Sequence, residues 1–336
     1  LKLTFALLLF AGAVGVLCVW LYTQAMLPKG GPLEHDTLFY IPPSSSVQKI
    51  AEQLQNGGAI SEVWLFRYGA WAAKSAGSLK AGEYEVKAHM SDAAIIALLQ
   101  SGKVYQHQLT IPEGLTSFEI ISIINNAPSM NGGIETIPAE GTLLPETYNY
   151  TYGDSRAKLV DRMAKNMQTE LASLWKTHAS GILLKSPQEA VTLASVVEKE
   201  TALAAERPRI AGVFMNRLRT GMPLQSDPTV IYAVTMGKMK MDRPLTRNDL
   251  ELSSPYNTYQ VPGLPPGPIA NPGKASLDAV MHPEANDYLF FVADGSGGHA
   301  FAKTNDEHVA NVAKWRQLMQ QRKTAAPAPT APAAAH

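Results

Sequence analysis

The run "LTFALLLFAGAVGVLCVWLY", Leu3 to Tyr22, carries no charge and follows Lys2 directly. At about 1.5 Å per residue, roughly 20 apolar residues form a helix about as long as a bilayer's hydrocarbon is thick, about 30 Å. A cleaved signal peptide has a shorter apolar segment, about 7–15 residues, followed by a small-x-small site. This run is longer, and the "TQAM" after it is a poor cleavage site. Residues 1–26 are therefore expected to be an uncleaved, single-pass anchor, with Trp20 and Tyr22 in the aromatic belt at its far end. Lys2 argues for an N-terminus in the cytoplasm and the bulk of the chain outside it. Cys18, the one cysteine, lies inside the run and reads as a packing residue. An internal disulfide framework is excluded.

Past the anchor, "LPKGGPLEHD" (27–36) has the Pro/Gly content of a linker, expected to hold the soluble part off the membrane. Three segments then share one pattern: a short apolar strand, a turn, a capping residue and a helix. They are "LFYIPPSSSVQKIAEQLQN" (38–56), "YEVKAHMSDAAIIALLQSG" (84–102) and "QLTIPEGLTSFEIISIINN" (108–126). Residues 41–56 and 111–126 align without gaps, and Val47, Ile50, Ala51 and Leu54 fall at helical spacing. These units, over 37–126, are expected to share a core. The middle reads as helix, at 156–178 and again after Ser186-Pro187, where a cap, a proline and Glu189 make a good helix start. From 221 the texture changes to Gly, Pro, Asn and Tyr, in the long loops where sites tend to sit. "YLFFVA" (288–293) reads as a strand, "GSGGHAF" (295–301) as a turn into a second one, and Thr304 with Glu307 as a capping box opening the last helix. An Ala/Pro tail, 324–336, is expected to be disordered.

Formal net charge is zero and no dense Lys/Arg stripe occurs, which disfavours a nucleic-acid partner. The late histidines His282, His299 and His308 fit no common metal spacing, and there is no HExxH. The chain has no GxSxG elbow and no SxxK, and its Gly-rich turn lacks a P-loop lysine. Neither metal nor cofactor is expected.

The remaining candidate is "LASVVEKETALAAE" (193–206), an apolar helical run carrying Glu-Lys-Glu. At about 100° per residue, Glu200 falls inside an apolar arc that includes Val197, Thr201 and Ala204, whereas Glu198 falls on its flank. A carboxyl in that arc is desolvated, its pKa rises, and it suits a general acid that protonates a leaving-group oxygen. The plainer reading is a buried Glu200 paired with Arg207 or Arg217. Glu198 reads as a surface acid supporting the site by pairing with a basic group. Hydrolytic glycosidases commonly use two carboxylates. Asp227, Glu206 and Glu198 are the available seconds, and none stands out. A one-carboxyl glycan cleavage is feasible if the sugar supplies its own nucleophile. Tyr232, Tyr256 and Tyr259 offer rings to a sugar, and Gln225, Asp227 and Asn257 offer hydrogen bonds.

Three stretches, 194–234, 256–283 and 288–301, together with "LLPETY" (143–148), resemble the YceG/MltG family of endolytic murein transglycosylases. The resemblance covers nearly the whole chain. It implies an α+β protein with one transmembrane helix (1–26), a linker (27–37), a LysM-like α/β module (38–106) and a mixed catalytic domain (107–323). It implies internal cleavage of nascent peptidoglycan strands that leaves 1,6-anhydro-muramyl ends, without metal or cofactor. The catalytic residue of the family is the second Glu of E-K-E-T, here Glu200. Gln225, Ser226, Asp227, Tyr256, Asn257 and Tyr259 fall in segments that line the family's cleft. Implied too are a place in a bacterial inner membrane, with the bulk of the chain periplasmic, and peptidoglycan synthases as neighbours. A water-using muramidase and a non-enzymatic glycan-binding scaffold stand as the alternatives.

Overall fold

A computed structural model describes residues 2–75 and 77–325. The Ala/Pro tail lies outside the described residues from 326 onward. The chain divides into two compact units. One holds residues 1–108 with 129–131 and 149–154, and the other holds 109–128, 132–148 and 155–336.

The first unit begins with α1 (Lys2–Met26), followed by β1 (Thr37–Ile41), α2 (Val47–Asn56), α3 (Val63–Ala72), β2 (Gly82–Val86) and α4 (Asp92–Ser101). β1 and β2 pair antiparallel, with Phe39 opposite Tyr84. The helices start where the sequence provides caps: Ser46 accepts from the Lys49 N–H and Ser91 from the Ala94 N–H. Their apolar stripes, Ile50/Ala51/Leu54 and Ile95/Ile96/Leu99, close with Phe39, Phe66 and Tyr84 into one core.

The segment expected to act as a spacer is laid onto this core instead. Leu27 O accepts from the Ala93 N–H at 3.1 Å, the Gly31 N–H donates to Met90 O at 3.2 Å, and Leu33 is buried. Leu27 sits so close to α3 that a Cβ on Gly69 would meet its Cδ2 at 2.7 Å. Prolines and glycines here shape a close-fitting path and do not provide slack.

The second unit comprises α5 (Ser117–Asn126), α6 (Arg156–Thr177), α7 (Pro187–Glu200), α8 (Arg207–Thr220), α9 (Asp227–Thr235), α10 (Arg247–Leu250), α11 (Lys274–Met281), β5 (Phe290–Ala293), β6 (His299–Ala302) and α12 (Asn305–Ala325). Two further strands, β3 (His107–Thr110) and β4 (Thr147–Tyr150), pair with each other, and the division between the units falls within them. The third strand–helix repeat therefore does not share a core with the first two: Ile120, Ile121 and Ile124 of α5 are buried in the second unit. α5 opens with a full capping box, Thr116 with Glu119.

The centre of the second unit is α7. Eight consecutive residues, Ala190 to Val197, are buried, so it is enclosed on all sides, as a helix apolar all round must be. Its fully buried hydroxyl, Ser195, accepts from the Ile269 N–H at 3.0 Å. The helix is shorter than the sequence suggests. It ends at Glu200; Thr201 is extended, and Ala204–Glu206 form a single 3₁₀ turn before α8. Pro208 at the start of α8 and the Thr201 hydroxyl, which accepts from the Leu203 N–H at 3.0 Å, fix the break. Thr201 and Ala204 are thus not part of the helical arc expected for them.

Candidate active site

The end of α7 delivers Glu200 to the wall of a cavity of about 440 Å³. Gln225 and Asp227 contribute from the start of α9, and Tyr259 from the loop after α10. Arg217 of α8, Phe290 and Phe291 of β5, and Asn305 and His308 of α12 complete most of the lining.

Glu200 Oε1 accepts from the Ser226 hydroxyl at 2.5 Å. Ser226 stands at the N-cap of α9, yet its side chain makes no capping bond because it is turned to Glu200. Burial raises the Glu200 pKa to about 7. The Asp227 charge adds to the rise, while the Ser226 bond, His299 and Arg217 oppose it. The position at the C-terminal, negative end of α7 acts in the same direction as burial. No salt bridge to Glu200 forms among the described residues. Arg217, the partner the plainer reading offered, spends its donors on backbone: Nε on Leu289 O at 2.7 Å, and Nη1 on Leu224 O at 2.7 Å and Pro223 O at 3.3 Å. The geometry is that of a proton-holding acid facing space.

Arg207 goes to Glu198. Its Nη2 donates to Glu198 Oε1 at 2.8 Å, and the Gly273 N–H at the head of α11 donates to Oε2 at 2.9 Å. Glu198 is not on the surface as expected, since its side chain is 5% exposed. It ties α7 to α8 and α11. Glu206 is equally occupied, accepting from the His299 backbone N–H at 2.9 Å with Oε1 and bonding the ring Nδ1 at 2.7 Å with Oε2. Of the three carboxylates considered as seconds, Asp227 alone faces the cavity, and it accepts from the Tyr259 hydroxyl at 2.6 Å.

The structure gathers Glu200, Ser226, Gln225, Asp227 and Tyr259, and leaves Tyr256 and Asn257 elsewhere. Asn257 is fully buried and donates to Leu250 O and Leu252 O while accepting from the Tyr259 N–H. It shapes the loop that carries Tyr259 and has no free face for a ligand. Tyr256 packs against Tyr232 with the rings tilted by 53° and centroids 4.8 Å apart, outside the cavity lining. Gln225 adopts a left-handed backbone, φ +50°, held by its N–H on Thr258 O at 3.1 Å. Such strain in a non-glycine residue is often found at sites. Sequence reasoning did not single out Phe290, Phe291, Asn305 and His308 as cavity residues. The capping box at Thr304 was the available signal, because it places Asn305 and His308 in the first turn of α12.

One desolvated carboxyl is presented by a buried helix to a polar cavity with aromatic walls, the arrangement that general acid–base chemistry requires. The YceG-like family model matches residues 39–314, and the chain belongs to that family. A Bacillus subtilis (strain 168) protein named endolytic murein transglycosylase is 35% identical over 327 residues, covering 86% of this chain and 88% of the relative. A Streptococcus pneumoniae (strain D39) protein of the same name is 31% identical over 82% of this chain, which spans 57% of that longer relative. The crystal structure of a YceG-like protein from Listeria monocytogenes aligns with a TM-score of 0.54 at 31% identity, over 82% of this chain and 98% of the other.

Proposed function

We propose that this chain is an endolytic murein transglycosylase in which Glu200 is both acid and base. The single observation that carries this reading is the Glu200 carboxyl, buried without an ionic partner among the described residues at the wall of a cavity, where burial raises its pKa. The reaction starts with Glu200 as a neutral acid. Its proton passes to the oxygen linking a muramyl C1 to the next sugar, and the C1–O bond breaks. The carboxylate left behind takes the proton of the same muramyl residue's C6 hydroxyl, and O6 bonds to C1. A 1,6-anhydro ring closes, no water is consumed, and Glu200 is again protonated. Gln225, Asp227 and Tyr259 face the strand and orient it, and Arg217 offers positive charge nearby. Ser226 stabilises the transient carboxylate through its bond to Oε1.

In this reading α1 is a single-pass anchor in a bacterial inner membrane. Its helix is long and apolar enough to cross a bilayer. The N-terminus is cytoplasmic and the chain after α1 lies outside the cytoplasm, where murein is. Residues 38–106 act as a LysM-like glycan-binding module, and residues 107–323 as the catalytic domain.

Mass spectrometry of products from purified sacculi tests the proposal. Internal cleavage with anhydro-muramyl ends is expected. Ends heavier by one water would make the chain a hydrolase, with Asp227 as the second carboxylate. Unchanged glycan length would make it a binding scaffold.

A further inference from the structure

α3 is apolar on two opposite faces. Leu65, Phe66, Gly69 and Ala70 are buried against the first unit's core. About 180° around the helix, at i, i+4 and i+7, stand Trp64, Tyr68 and Trp71. Trp64 is 44% exposed and Trp71 69% exposed. Two opposite apolar faces on one helix both call for cover, by protein or by membrane. Here half of that requirement is met by protein.

The second observation is where this face lies. α3 meets α1 near the end of that helix, where Trp64 stacks on Tyr22 with centroids 5.9 Å apart and planes at 22°. Further along, Tyr68 and Trp71 share with Gly12, Gly15, Val16 and Trp20 a groove of about 580 Å³. Gly12 is ten residues from Tyr22, about 15 Å along a helix, which is half of a hydrocarbon layer about 30 Å thick. The Leu27–Gly69 contact and the Leu27 O to Ala93 N–H bond hold α1 to the unit at this register. If α1 crosses a bilayer, the groove beside it lies at the depth of lipid tails, and its side-chain lining is apolar but for the Tyr68 hydroxyl and the Trp20 and Trp71 indole N–H groups.

We propose that the Trp64–Tyr68–Trp71 face of α3 is embedded in the outer half of the same bilayer that α1 spans, with lipid acyl chains filling the groove between the two helices. The inference rests on the reading of α1 as an anchor and goes beyond it: the first unit is seated in the membrane and is not suspended above it. Tryptophan and tyrosine are the side chains that suit this boundary, with an apolar body and a polar edge. Exposed Arg67, on the rim of the aromatic face, can lay its stem along the tails and raise its guanidinium to the lipid phosphates.

The test uses the full chain in phosphatidylcholine–phosphatidylglycerol vesicles, with and without bromine on the acyl chains. The chain has five tryptophans, and variants that keep one each, with the others changed to Phe, report each position separately. Trp71 fluorescence is expected to fall several-fold in brominated vesicles, as Trp20 fluorescence does, and to resist aqueous acrylamide. If Trp20 is quenched by bromine and Trp71 is not, the inference fails while the anchor reading stands. Acrylamide then distinguishes a face open to water from one covered by protein, and either result overturns the proposal. If Trp20 is not quenched, the anchor reading itself fails. Should a single-tryptophan variant misfold, the bromine quenching lost on Trp71→Phe alone, in the otherwise native chain, gives the same answer.

Discussion

Glu198 and Glu200 stand two residues apart at the end of one helix and meet opposite surroundings. Glu198 is enclosed and answered: Arg207 takes one oxygen, and the backbone N–H at the head of α11 takes the other. Glu200 receives one hydroxyl from Ser226, lies near Asp227, and faces a cavity. The first arrangement stabilises a fixed charge and binds three helices together. The second leaves a proton whose loss and return cost little near neutral pH. Similar residues thus meet different surroundings according to whether a cation is supplied.

The largest effect that would break this contrast is on activity. Glu200→Gln keeps the shape and the Ser226 bond but has no proton to give, so murein cleavage should fall by about 10²–10⁴-fold. Wild-type rates in the variant would mean that Glu200 is not the acid. Glu198→Gln should act on stability instead. It leaves Arg207 buried with only Glu113, at 3.3 Å, as an ionic partner. Breaking a buried pair from one side costs about 3–5 kcal/mol, and Glu113 should hold the loss near the lower end. Denaturant unfolding of the two variants side by side reads the difference.

Glu200→Gln should also shift stability the other way. The pKa of Glu200 is raised from 4.5 to about 7, so between those values the folded chain holds a proton that the unfolded chain releases. Stability from this group is therefore full below about pH 4.5 and declines as pH rises through 7. Gln at this position never ionises, and at pH 8 the variant should be more stable than wild type by on the order of 1–3 kcal/mol. At pH 4 the two should match. A variant that is less stable at pH 8 would show the carboxylate to be a structural partner like Glu198.

The same contrast explains what could be read from the sequence. Helix phase predicted Glu198 on the flank and Glu200 in the apolar arc, but α7 is enclosed on all sides and Glu198 is buried as well, so phase alone did not tell the two apart. Strand–helix repeats with Ser caps were visible at 46 and 91. Phase could not say which of them Arg207 would reach, since the break at Thr201 turns the chain before α8 begins. α3 escaped notice because both of its faces are apolar, and periodicity shows only when one side differs from the other. Asn257 looked like a ligand donor, and its bonds to Leu250 O and Leu252 O show it holding a turn. The cavity's far wall, Phe290, Phe291, Asn305 and His308, comes from residues 90 or more positions beyond Glu200, and no local pattern joins them to it.

The smallest expected effects are also the most discriminating, because they have opposite signs. Cleavage needs Glu200 protonated at the start, so the rate should fall as pH rises through about 7. Ser226 donates to the carboxylate and favours the ionised form, so Ser226→Ala should move that falling limb to higher pH. Asp227 is a neighbouring negative charge that disfavours ionisation, so Asp227→Asn should move it to lower pH. Each variant should lose less rate at its own optimum than Glu200→Gln does, because neither removes the proton that is transferred. A pH–rate profile of soluble murein release for the three chains reads the displacements directly. If both variants moved the limb in the same direction, or neither moved it, the titrating group would not be Glu200, and the contrast with Glu198 would have to rest on stability alone.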